Sequence, residues 1–455
     1  MPRVQTPENG SGAAAEIERR IRRRGRITFA EFMEVALFWP QGGYYLGRSP
    51  IGASGDYYTS PSVHPAFGAL LAVQLLQMWY LMGRPHPFTV VEMGAGNGLL
   101  ARDILSYSSH LLPEFRRSLR YVCMDFRAVA GLEAALPSFQ HEPTENAPRA
   151  SRIAAAVPAA GVGPDSPSGS QGLLYGIPLS GVRGCILSNE LLDAFPVHQV
   201  KVRRGMLQEV YVALQNHQLV ETLGDPSCSE LRGRLESMGV ELAEGQVAEI
   251  NLGIDRWAGE IASALESGFV LTVDYGKTAT QLYSAEERPD GTLTTYYRHT
   301  QTDDPFRHVG SQDITAQVDF TAVVQAGRAH GLSMLGYTRQ SDFLRSLGLG
   351  DWQRRLGGLN LSQQQTQANR AGILDLARIG GLGDFKVLAQ GKNVGKPSLW
   401  GFNSVPDQAH QGGSARPEGL PVPLLTRDHL PFLEGRYPRA EAEINLEKLW
   451  PPGPV

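Results

Sequence analysis

The stretch VVEMGAGNGLL, residues 90–100, joins a run of apolar residues to three glycines at alternate positions. The apolar periodicity of LLARDILSY, which follows the glycines, is typical of a helix. A strand, a glycine-rich turn and a helix in this order are typical of the first unit of an open parallel sheet, where ligands bind beyond the carboxyl ends of the strands. A dinucleotide-binding turn needs glycine where this chain has Leu99, so the turn is not predicted to bind a pyrophosphate.

The same turn suits a ligand that carries both a carboxylate and an ammonium group. Glycines let the backbone pass close to a ligand, and the free N–H groups of a helix N-terminus suit a carboxylate. Glu92 can meet an ammonium, and Asp125, at the end of the next predicted strand, can accept both hydroxyls of a ribose. S-adenosylmethionine joins an amino acid to a nucleoside. We therefore predict it as the cofactor, bound by Glu92, Gly94, Gly96, Gly98 and Asp125.

Apolar periodicity along the chain predicts strands and helices in alternation, which is an α/β fold with helices on both faces of a parallel sheet. The predicted helices are TFAEFMEVALF (28–38), opened by a capping box at Thr28, the segment Leu70–Trp79, LLARDILSY (99–107), VAGLEAALP (129–137), DRWAGEIASALES (255–267) and residues 319–331. The predicted strands of the sheet are FTVVEMG (88–94), LRYVCMDF (119–126), GCILSNE (184–190), GFVLTVDYG (268–276), residues 332–337 and DFKVLAQ (384–390). We expect Phe67, Met78 and Trp79 in the core.

Composition shifts divide the chain into three predicted parts. Residues 1–85 are predicted to form N-terminal helices and a lid loop, residues 86–392 the core, and residues 393–455 an extended tail rich in Pro and Gly. Within the core we expect an inserted antiparallel ribbon and substrate region, at about 197–265 and 277–320. Residues 141–180 are too poor in bulky apolar groups to pack, so we expect a mobile surface insertion there.

The overall charge and composition exclude several classes of function. A formal net charge of −4, with 42 Lys and Arg against 46 Asp and Glu, argues against a nucleic-acid partner. The 3 cysteines fit neither a disulfide framework nor a metal site, and no metal is predicted. No apolar run approaches the roughly 18 residues of a membrane span. Because glutamates lie among and beside the arginines of residues 19–26, we predict a solvated helix face instead of mitochondrial targeting. The cysteines suit a reducing compartment, so we predict a cytoplasmic protein.

The candidate catalytic residues lie mainly in SNELLDAFP, residues 188–196. A carboxylate paired with a guanidinium localises its charge on one nitrogen and frees the lone pair of another, so we predict Glu190 and Asp193 as anchors for an arginine. Asn189 can bind the adenine or the target nitrogen through its amide. The alternatives are that Asn189 caps the turn and that Asp193 caps a helix end. His299 can accept the proton that is lost after transfer, or it is an ordinary surface histidine.

Seven stretches of the chain, in order, resemble the MidA family of S-adenosylmethionine-dependent methyltransferases. They are GYYLGRSPIGASGDYYTSPSVHPAFG (43–68), VVEMGAGNGLLARDIL (90–105), LSNELLDAFPVHQV (187–200), LTVDYG (271–276), GTLTTYYRH (291–299), DITAQVDFTAV (313–323) and GDFKVLAQ (383–390). The resemblance implies a Rossmann-like class I methyltransferase sheet with an N-terminal helical segment and an inserted antiparallel substrate region. The insertion at 141–180 and the tail after 392 lie outside it.

The resemblance also implies residues that cover the site. The family's G-D-[FY]-x-T-x-P passage places Asp56, Tyr57, Thr59 and Pro61 over the cofactor, with Tyr57 as part of a lid. Tyr275, which ends the strand LTVDYG on the ligand side, either shapes the pocket wall or packs in the core.

Three functions stay open at this stage. The family includes a mitochondrial assembly factor of respiratory complex I that methylates protein arginine, so the first is methyl transfer to a protein nitrogen of arginine, with a respiratory complex subunit as one conceivable substrate. The second is an assembly factor that binds the cofactor and mainly holds a partner subunit. The third is a methyltransferase for small molecules. The oligomeric state stays open.

Overall fold

The computed structural model describes residues 12–46, 59–125, 149–154, 177–297, 300–403, 416–426 and 428–429. The helices of this part of the chain are α1 (Ala13–Arg24), α2 (Phe29–Phe38), α3 (Ser60–Val63), α4 (Ala66–Leu81), α5 (Leu99–Tyr107), α6 (Pro113–Ser118), α7 (Glu230–Ser237), α8 (Gly253–Ala264), α9 (Ala279–Leu282), α10 (Phe320–Ala329), α11 (Gln340–Ser346), α12 (Leu349–Leu356) and α13 (Gln363–Leu376). The strands are β1 (Arg26–Thr28), β2 (Phe88–Met93), β3 (Leu119–Asp125), β4 (Arg149–Ala154), β5 (Val182–Asn189), β6 (His198–Arg203), β7 (Met206–Gln215), β8 (Gln218–Gly224), β9 (Val247–Ile250), β10 (Leu265–Asp274), β11 (Gly276–Lys277), β12 (Thr294–Tyr297), β13 (Thr300–Thr302), β14 (Asp313–Thr315), β15 (Val318–Asp319), β16 (Ser333–Arg339) and β17 (Lys386–Lys392).

A seven-stranded sheet with the order β16-β17-β10-β5-β2-β3-β4 forms the centre of the molecule. The five strands from β10 to β4 are parallel, whereas β17 runs antiparallel to both of its neighbours. The chain proceeds from β2 to β3 and β4 on one side and continues through β5 and β10 on the other. The carboxyl ends of β2 and β5 therefore form the switch point at which ligands bind in such sheets.

The predicted α/β fold is confirmed, with apolar side chains packed on both faces of the sheet. All six residues of β2 are buried, as expected of a central parallel strand. Val90 faces the core that contains α4 and α5, and the next residue, Val91, faces the core that contains α2 and α8. Phe67, Met78 and Trp79 are buried on the first of these faces, as the sequence predicts.

The predicted antiparallel insertion is also present. β6, β7 and β8 form a meander that pairs with β9 on one side and with the N-terminal strand β1. Between β11 and β15 the chain forms a three-stranded antiparallel sheet of β12, β13 and β14. Helix α2 begins as predicted, because Thr28 Oγ1 accepts the backbone N–H of Glu31 at 3.1 Å. The exact division into three parts stays a prediction.

The structure differs from the predicted insertion at residues 149–154. They form β4, an edge strand parallel to β3, because main-chain hydrogen bonds to a neighbouring strand can order a segment whose composition alone predicts no packing. The predicted helix at 129–137 and the rest of the insertion up to residue 176 lie outside the described residues.

The described tail residues 416–426 and 428–429 contain no helix or strand, but they make specific contacts. Tyr107 Oη donates to the backbone carbonyl of Pro421 at 2.7 Å, and the buried ring of His429 lies 3.0 Å from a carboxylate oxygen of Asp103. This part of the tail is therefore held against α5. No helix among the described residues is both long and apolar enough to cross a membrane.

Candidate active site

The glycine-rich turn after β2 has a backbone that other residues rarely adopt. Gly94, Gly96 and Gly98 have φ angles of 74°, 54° and 75°, in the left-handed region. A Cβ on Gly94 would also lie 3.0 Å from Cδ1 of Leu191. The three glycines are thus required by the turn itself.

Asp125, at the end of β3, is fixed beside this turn. Its Oδ2 accepts the backbone N–H of Gly96 at 2.7 Å. Met124, the residue before it, accepts the N–H groups of Gly94 and Ala95 through its carbonyl at 2.9 and 3.0 Å. The turn and the carboxyl end of β3 therefore form one unit, which opens into helix α5 at Leu99. That Asp125 binds a ribose stays a prediction.

Glu92 places a carboxyl group inside the protein, directly before the turn. It is 3% exposed, and Tyr121 Oη donates a hydrogen bond to its Oε2 at 2.9 Å. Burial raises the pKa of Glu92 to about 8, and the carboxyls of Asp125 and Asp103 add to this effect. In the described part of the chain Glu92 forms no ion pair with a Lys, Arg or His. A cationic group of a ligand would stabilise its ionised form.

These residues line a cavity at the switch point. It contains about 820 Å³ of empty volume, part of it open to solvent. The cavity brings together eight of the predicted site residues, namely Thr59, Pro61, Glu92, Gly94, Gly96, Asp125, Asn189 and Glu190. Its wall also includes residues that the sequence analysis did not select, namely Phe38, Tyr45, Leu191, Ala194 and Phe195. Gly98 lies one step outside, at the N-cap of α5.

Glu190 adopts a strained backbone at the end of β5. Its φ of 51° is uncommon for a residue with a side chain, and such strain is concentrated at functional sites. Its Oε1 accepts the N–H of Ser60 at 3.1 Å and Nδ2 of Asn189 at 2.9 Å. The side chain is enclosed by protein yet partly exposed toward the cavity, and burial, followed by the charge of Asp193, raises its pKa to about 8. The amide oxygen of Asn189 is buried without a hydrogen-bond partner among the described residues.

Two further carboxyls lie next to Glu190. Asp274, at the end of β10, is fully buried and accepts the N–H groups of Leu191 and Leu192 at 3.1 and 2.9 Å, so Asp274 caps the 3-10 turn Leu192–Ala194 that contains Asp193. Burial raises the pKa of Asp193 to about 7. Burial and the neighbouring charges of Asp193 and Glu190 raise the pKa of Asp274 well above its usual range. We call Glu190, Asp193 and Asp274 the acidic cluster.

The inserted strands place two further residues near the acidic cluster, and the sequence did not predict either of them as a site residue. Asp313 on β14 is buried and accepts a hydrogen bond from Tyr45 Oη at 2.7 Å. Tyr296 lies opposite Asp313 on β12, and its pKa is raised by burial and then by the carboxyls of Asp313, Asp193 and Glu190. Both residues occur in stretches that carry the family resemblance, GTLTTYYRH and DITAQVDFTAV, and this was the available signal.

Other predicted residues lie elsewhere or outside the described part. Tyr275 lines a second cavity, and its ring centroid lies 5.6 Å from that of Phe385. Asp56, Tyr57 and His299 lie outside the described residues, so their roles stay predictions. Within the described ranges, no group of three or more His, Cys, Asp or Glu side chains is arranged to hold a metal ion.

Known proteins resemble this chain in both sequence and fold. Residues 70–146 and 164–338, more than half of the chain, match the model of a family described as "Putative S-adenosyl-L-methionine-dependent methyltransferase". "Protein arginine methyltransferase NDUFAF7 homolog, mitochondrial" of Drosophila melanogaster is 28% identical over 377 residues, which are 75% of this chain and 76% of that protein. The human "Protein arginine methyltransferase NDUFAF7, mitochondrial" is 26% identical over 348 residues, 72% of each chain.

A crystal structure from Burkholderia thailandensis, bound to S-adenosyl-homocysteine, has a TM-score of 0.69 and 27% identity to this chain. The match covers 87% of this chain and 97% of the bacterial one. These findings confirm the predicted family, fold and cofactor.

The same relatives correct the predicted location. The fly and human proteins are both named as mitochondrial, which contradicts the prediction of a cytoplasmic protein without mitochondrial targeting. The prediction that mitochondrial targeting is absent relied on the glutamates among the N-terminal arginines, and the prediction of a cytoplasmic protein relied on the cysteines. In the structure Glu16 pairs with Arg19 and Arg20 along α1, so the acidic residues stabilise the helix and carry no information on location.

Proposed function

Because the chain belongs to this family of S-adenosyl-L-methionine-dependent methyltransferases, we propose that it methylates a side-chain nitrogen of a protein, and that the acceptor residue is arginine. The names of the fly and human relatives support a protein arginine as the acceptor. The single observation that carries the proposal is the acidic cluster beside the cavity. In the described part of the chain, no Lys or Arg forms an ion pair with any of its three carboxyls.

The residues at the switch point fit the cofactor. The three glycines have left-handed φ angles and no side chains, and a Cβ on Gly94 would come close to Leu191. The backbone of the turn can therefore contact the amino-acid portion of the cofactor. Glu92 would hold the ammonium, and Asp125 the ribose hydroxyls. The unpartnered amide oxygen of Asn189 can accept from the adenine amino group. When bound, the cofactor supplies a methyl group on a positively charged sulfur, which leaves as a neutral thioether.

The acidic cluster would orient the acceptor. A guanidinium carries its own positive charge and five donors, which match carboxylates that are short of a cation. Pairing with Glu190 and Asp193 would concentrate that charge away from the reacting nitrogen and leave its lone pair free. As the nitrogen–carbon bond forms, the carbon–sulfur electron pair stays with sulfur and the nitrogen loses one proton. A carboxyl with a pKa of about 7 to 8 can accept that proton near neutral pH.

Glu190→Gln tests the proposal directly. The amide keeps the size of the side chain but removes the charge, so methyl transfer should fall by about 100-fold while the cofactor still binds. Cofactor affinity is measured by calorimetry. Methyl transfer is measured as labelling of a cell lysate with radiolabelled cofactor, followed by analysis of the labelled amino acid.

The exposed Glu286 supplies the matched control, because Glu286→Gln removes an equal charge at a residue that does not line the cavity. Equal labelling by the Glu190→Gln variant and the native protein would reject Glu190 as the anchor. Label in an amino acid other than arginine would reject the acceptor, and label confined to small molecules would favour a small-molecule methyltransferase. Absence of all labelling by the native protein would favour a cofactor-binding assembly factor. Mass spectrometry of proteins captured with the chain tests whether a respiratory complex subunit is the partner.

A further inference from the structure

A second cavity lies beside the acidic cluster, at the same edge of the main sheet. It contains about 1370 Å³ of empty volume, part of it open to solvent. Its wall includes Tyr275, which directly follows Asp274 in the chain, and Gln317. Ala316, the residue before Gln317, donates its backbone N–H to the carbonyl of Asp193 at 3.0 Å. The second cavity therefore adjoins the acidic cluster.

Three cationic side chains line this cavity, Lys277, Arg339 and Lys386. We call the part of the cavity that they line the basic pocket. Lys386 on β17 lies directly opposite Asp274 on β10, and also opposite Arg339 on β16. Residues directly opposite each other on neighbouring strands project from the same face of a sheet. A single row across the sheet edge thus changes from acidic at Asp274 to basic at Lys386 and Arg339.

The positive charges of the basic pocket repel each other, and one of them is partly buried. Like charges directly opposite each other destabilise a sheet, and Lys386 faces Arg339 in this way. Burial lowers the pKa of Lys386, and the charge of Arg339 lowers it further. The ammonium of Lys386 donates to the backbone carbonyl of Asp384 at 2.6 Å, and Arg339 forms no ion pair in the described part of the chain. An anion in the cavity would relieve this repulsion.

The acidic residues of the cavity have partners of their own, although the charges of Asp384 and Asp342 partly offset the lowered pKa of Lys386. Asp384 Oδ2 accepts the backbone N–H of Gly380 at 2.6 Å, and Asp342 lies 3.5 Å from the guanidinium of Arg345. Lys277 lies 3.6 Å from the carboxylate of Glu287. Of the three cations, Lys386 and Arg339 form no ion pair within the described residues, so they are the two that can best bind an anionic ligand.

We propose that the basic pocket binds a carboxylate side chain of the protein substrate, an aspartate or glutamate a few residues away from the methylated arginine. This inference rests on the proposed function. Neighbouring strands lie about 4.8 Å apart, and an extended peptide rises about 3.3 Å per residue. Two strand spacings separate β5, which Glu190 directly follows, from β17, which carries Lys386. An acidic residue about three positions from the arginine therefore spans the two sites.

Peptide binding tests the inference. The probes are fluorescent peptides of alanine, glycine and serine with one arginine, and with either glutamate or glutamine at that spacing on each side in turn. The full-length protein, loaded with S-adenosyl-homocysteine, should bind the better glutamate peptide about fivefold to tenfold more tightly than its glutamine counterpart. Lys386→Met and Arg339→Gln should each reduce this preference, and methyl transfer to the same peptides should show it in KM more than in kcat.

Lys396→Met is the matched control, because Lys396 is exposed and follows β17 at the opposite edge of the sheet. It should keep the preference for glutamate. Equal binding of both peptides by the native protein, no binding of either, or an undiminished preference in both pocket variants would overturn the proposal. Arg339 is exposed, so Arg339→Gln remains informative if Lys386→Met fails to fold. Binding of the glutamate peptide through Lys386 without methyl transfer would support the pocket and count against arginine methylation.

Discussion

The glycine turn of residues 94–98 and the acidic cluster lie at the carboxyl ends of neighbouring strands, yet one is formed by backbone and the other by side chains. The turn is defined by its backbone, with left-handed φ angles at Gly94, Gly96 and Gly98. The cluster is defined by carboxyl groups that follow or end separate strands, and burial raises the pKa of each of them. The first depends on space and backbone conformation, and the second depends on protonation. Substitutions and pH should therefore affect them in different ways.

The largest effect is expected at the turn. Gly96→Val introduces a β-branched side chain at a φ of 54°, next to the N–H group that Asp125 accepts. Cofactor affinity, measured by calorimetry, should fall by at least about 100-fold, because the turn must change its shape and the cradle fills. Gly205→Val is the control, since Gly205 has a φ of 68° with no atoms within 4 Å of its missing Cβ, and it lies in the hairpin between β6 and β7, outside the cavity wall. Unchanged affinity for Gly96→Val would refute the location of the cofactor.

A smaller loss is expected from Asp125→Ala. Removal of a charged hydrogen-bond acceptor costs about 1.5–3 kcal/mol, which corresponds to an affinity loss of about 10-fold to 150-fold. Comparison of S-adenosyl-homocysteine with an analogue that lacks the ribose hydroxyls separates ribose binding from support of Gly96. The native protein should distinguish the two ligands, and the variant should not. If the variant distinguishes them equally well, Asp125 serves the turn alone.

The acidic cluster should respond to pH where the turn does not. The pKa of Glu190 is raised to about 8, so its carboxyl group is mostly protonated at pH 7 and ionises as pH rises. Because an ionised cluster binds a guanidinium, kcat/KM should increase by about tenfold from pH 7 to above pH 8. The Glu190→Gln variant should lose the upper step of this profile, whereas Glu286→Gln should keep it. A profile that falls over this range would contradict an anionic anchor.

The smallest effect is expected from Tyr121→Phe, behind the turn. It removes the hydrogen bond to the buried Glu92 and should lower the free energy of unfolding by about 1–3 kcal/mol, with only a few-fold loss of cofactor affinity. The pKa of Glu92 is about 8 in the folded protein and ordinarily near 4.5, so the stability that depends on this proton falls as pH rises between those values. Without the hydrogen bond the pKa rises further, and the decline should extend to higher pH. Denaturant unfolding at several pH values measures both effects.

Local sequence was sufficient to predict the glycine turn. The G-x-G-x-G spacing after an apolar strand states both the backbone that is needed and the place where it occurs, because φ preference is a property of single residues. Strand and helix periodicity similarly predicted β2, β3, β5 and β10, since burial on one or both faces leaves a pattern in consecutive residues.

The contribution of the inserted strands could not be predicted in this way. Asp313 and Tyr296 are more than 100 positions from Glu190 in the chain, and polar strand residues give no sign in the sequence that the charge of Glu190 acts on Tyr296. The same holds for the antiparallel direction of β17, which places Lys386 beside Asp274. The location was mispredicted for a related reason: charges that pair along a helix leave no trace of where the protein resides.

The sequence by itself determined the class of fold, the glycine turn and the identity of the cofactor, because these depend on short-range backbone preferences and on the periodicity of apolar residues. Only the tertiary structure decided which carboxyls lie next to Glu190 beside the cavity, that their pKa values are raised, and that cations at Lys386 and Arg339 continue the row from Asp274. Charge, unlike backbone conformation, acquires its meaning from neighbours that the chain brings together from distant positions and from the exclusion of water around them.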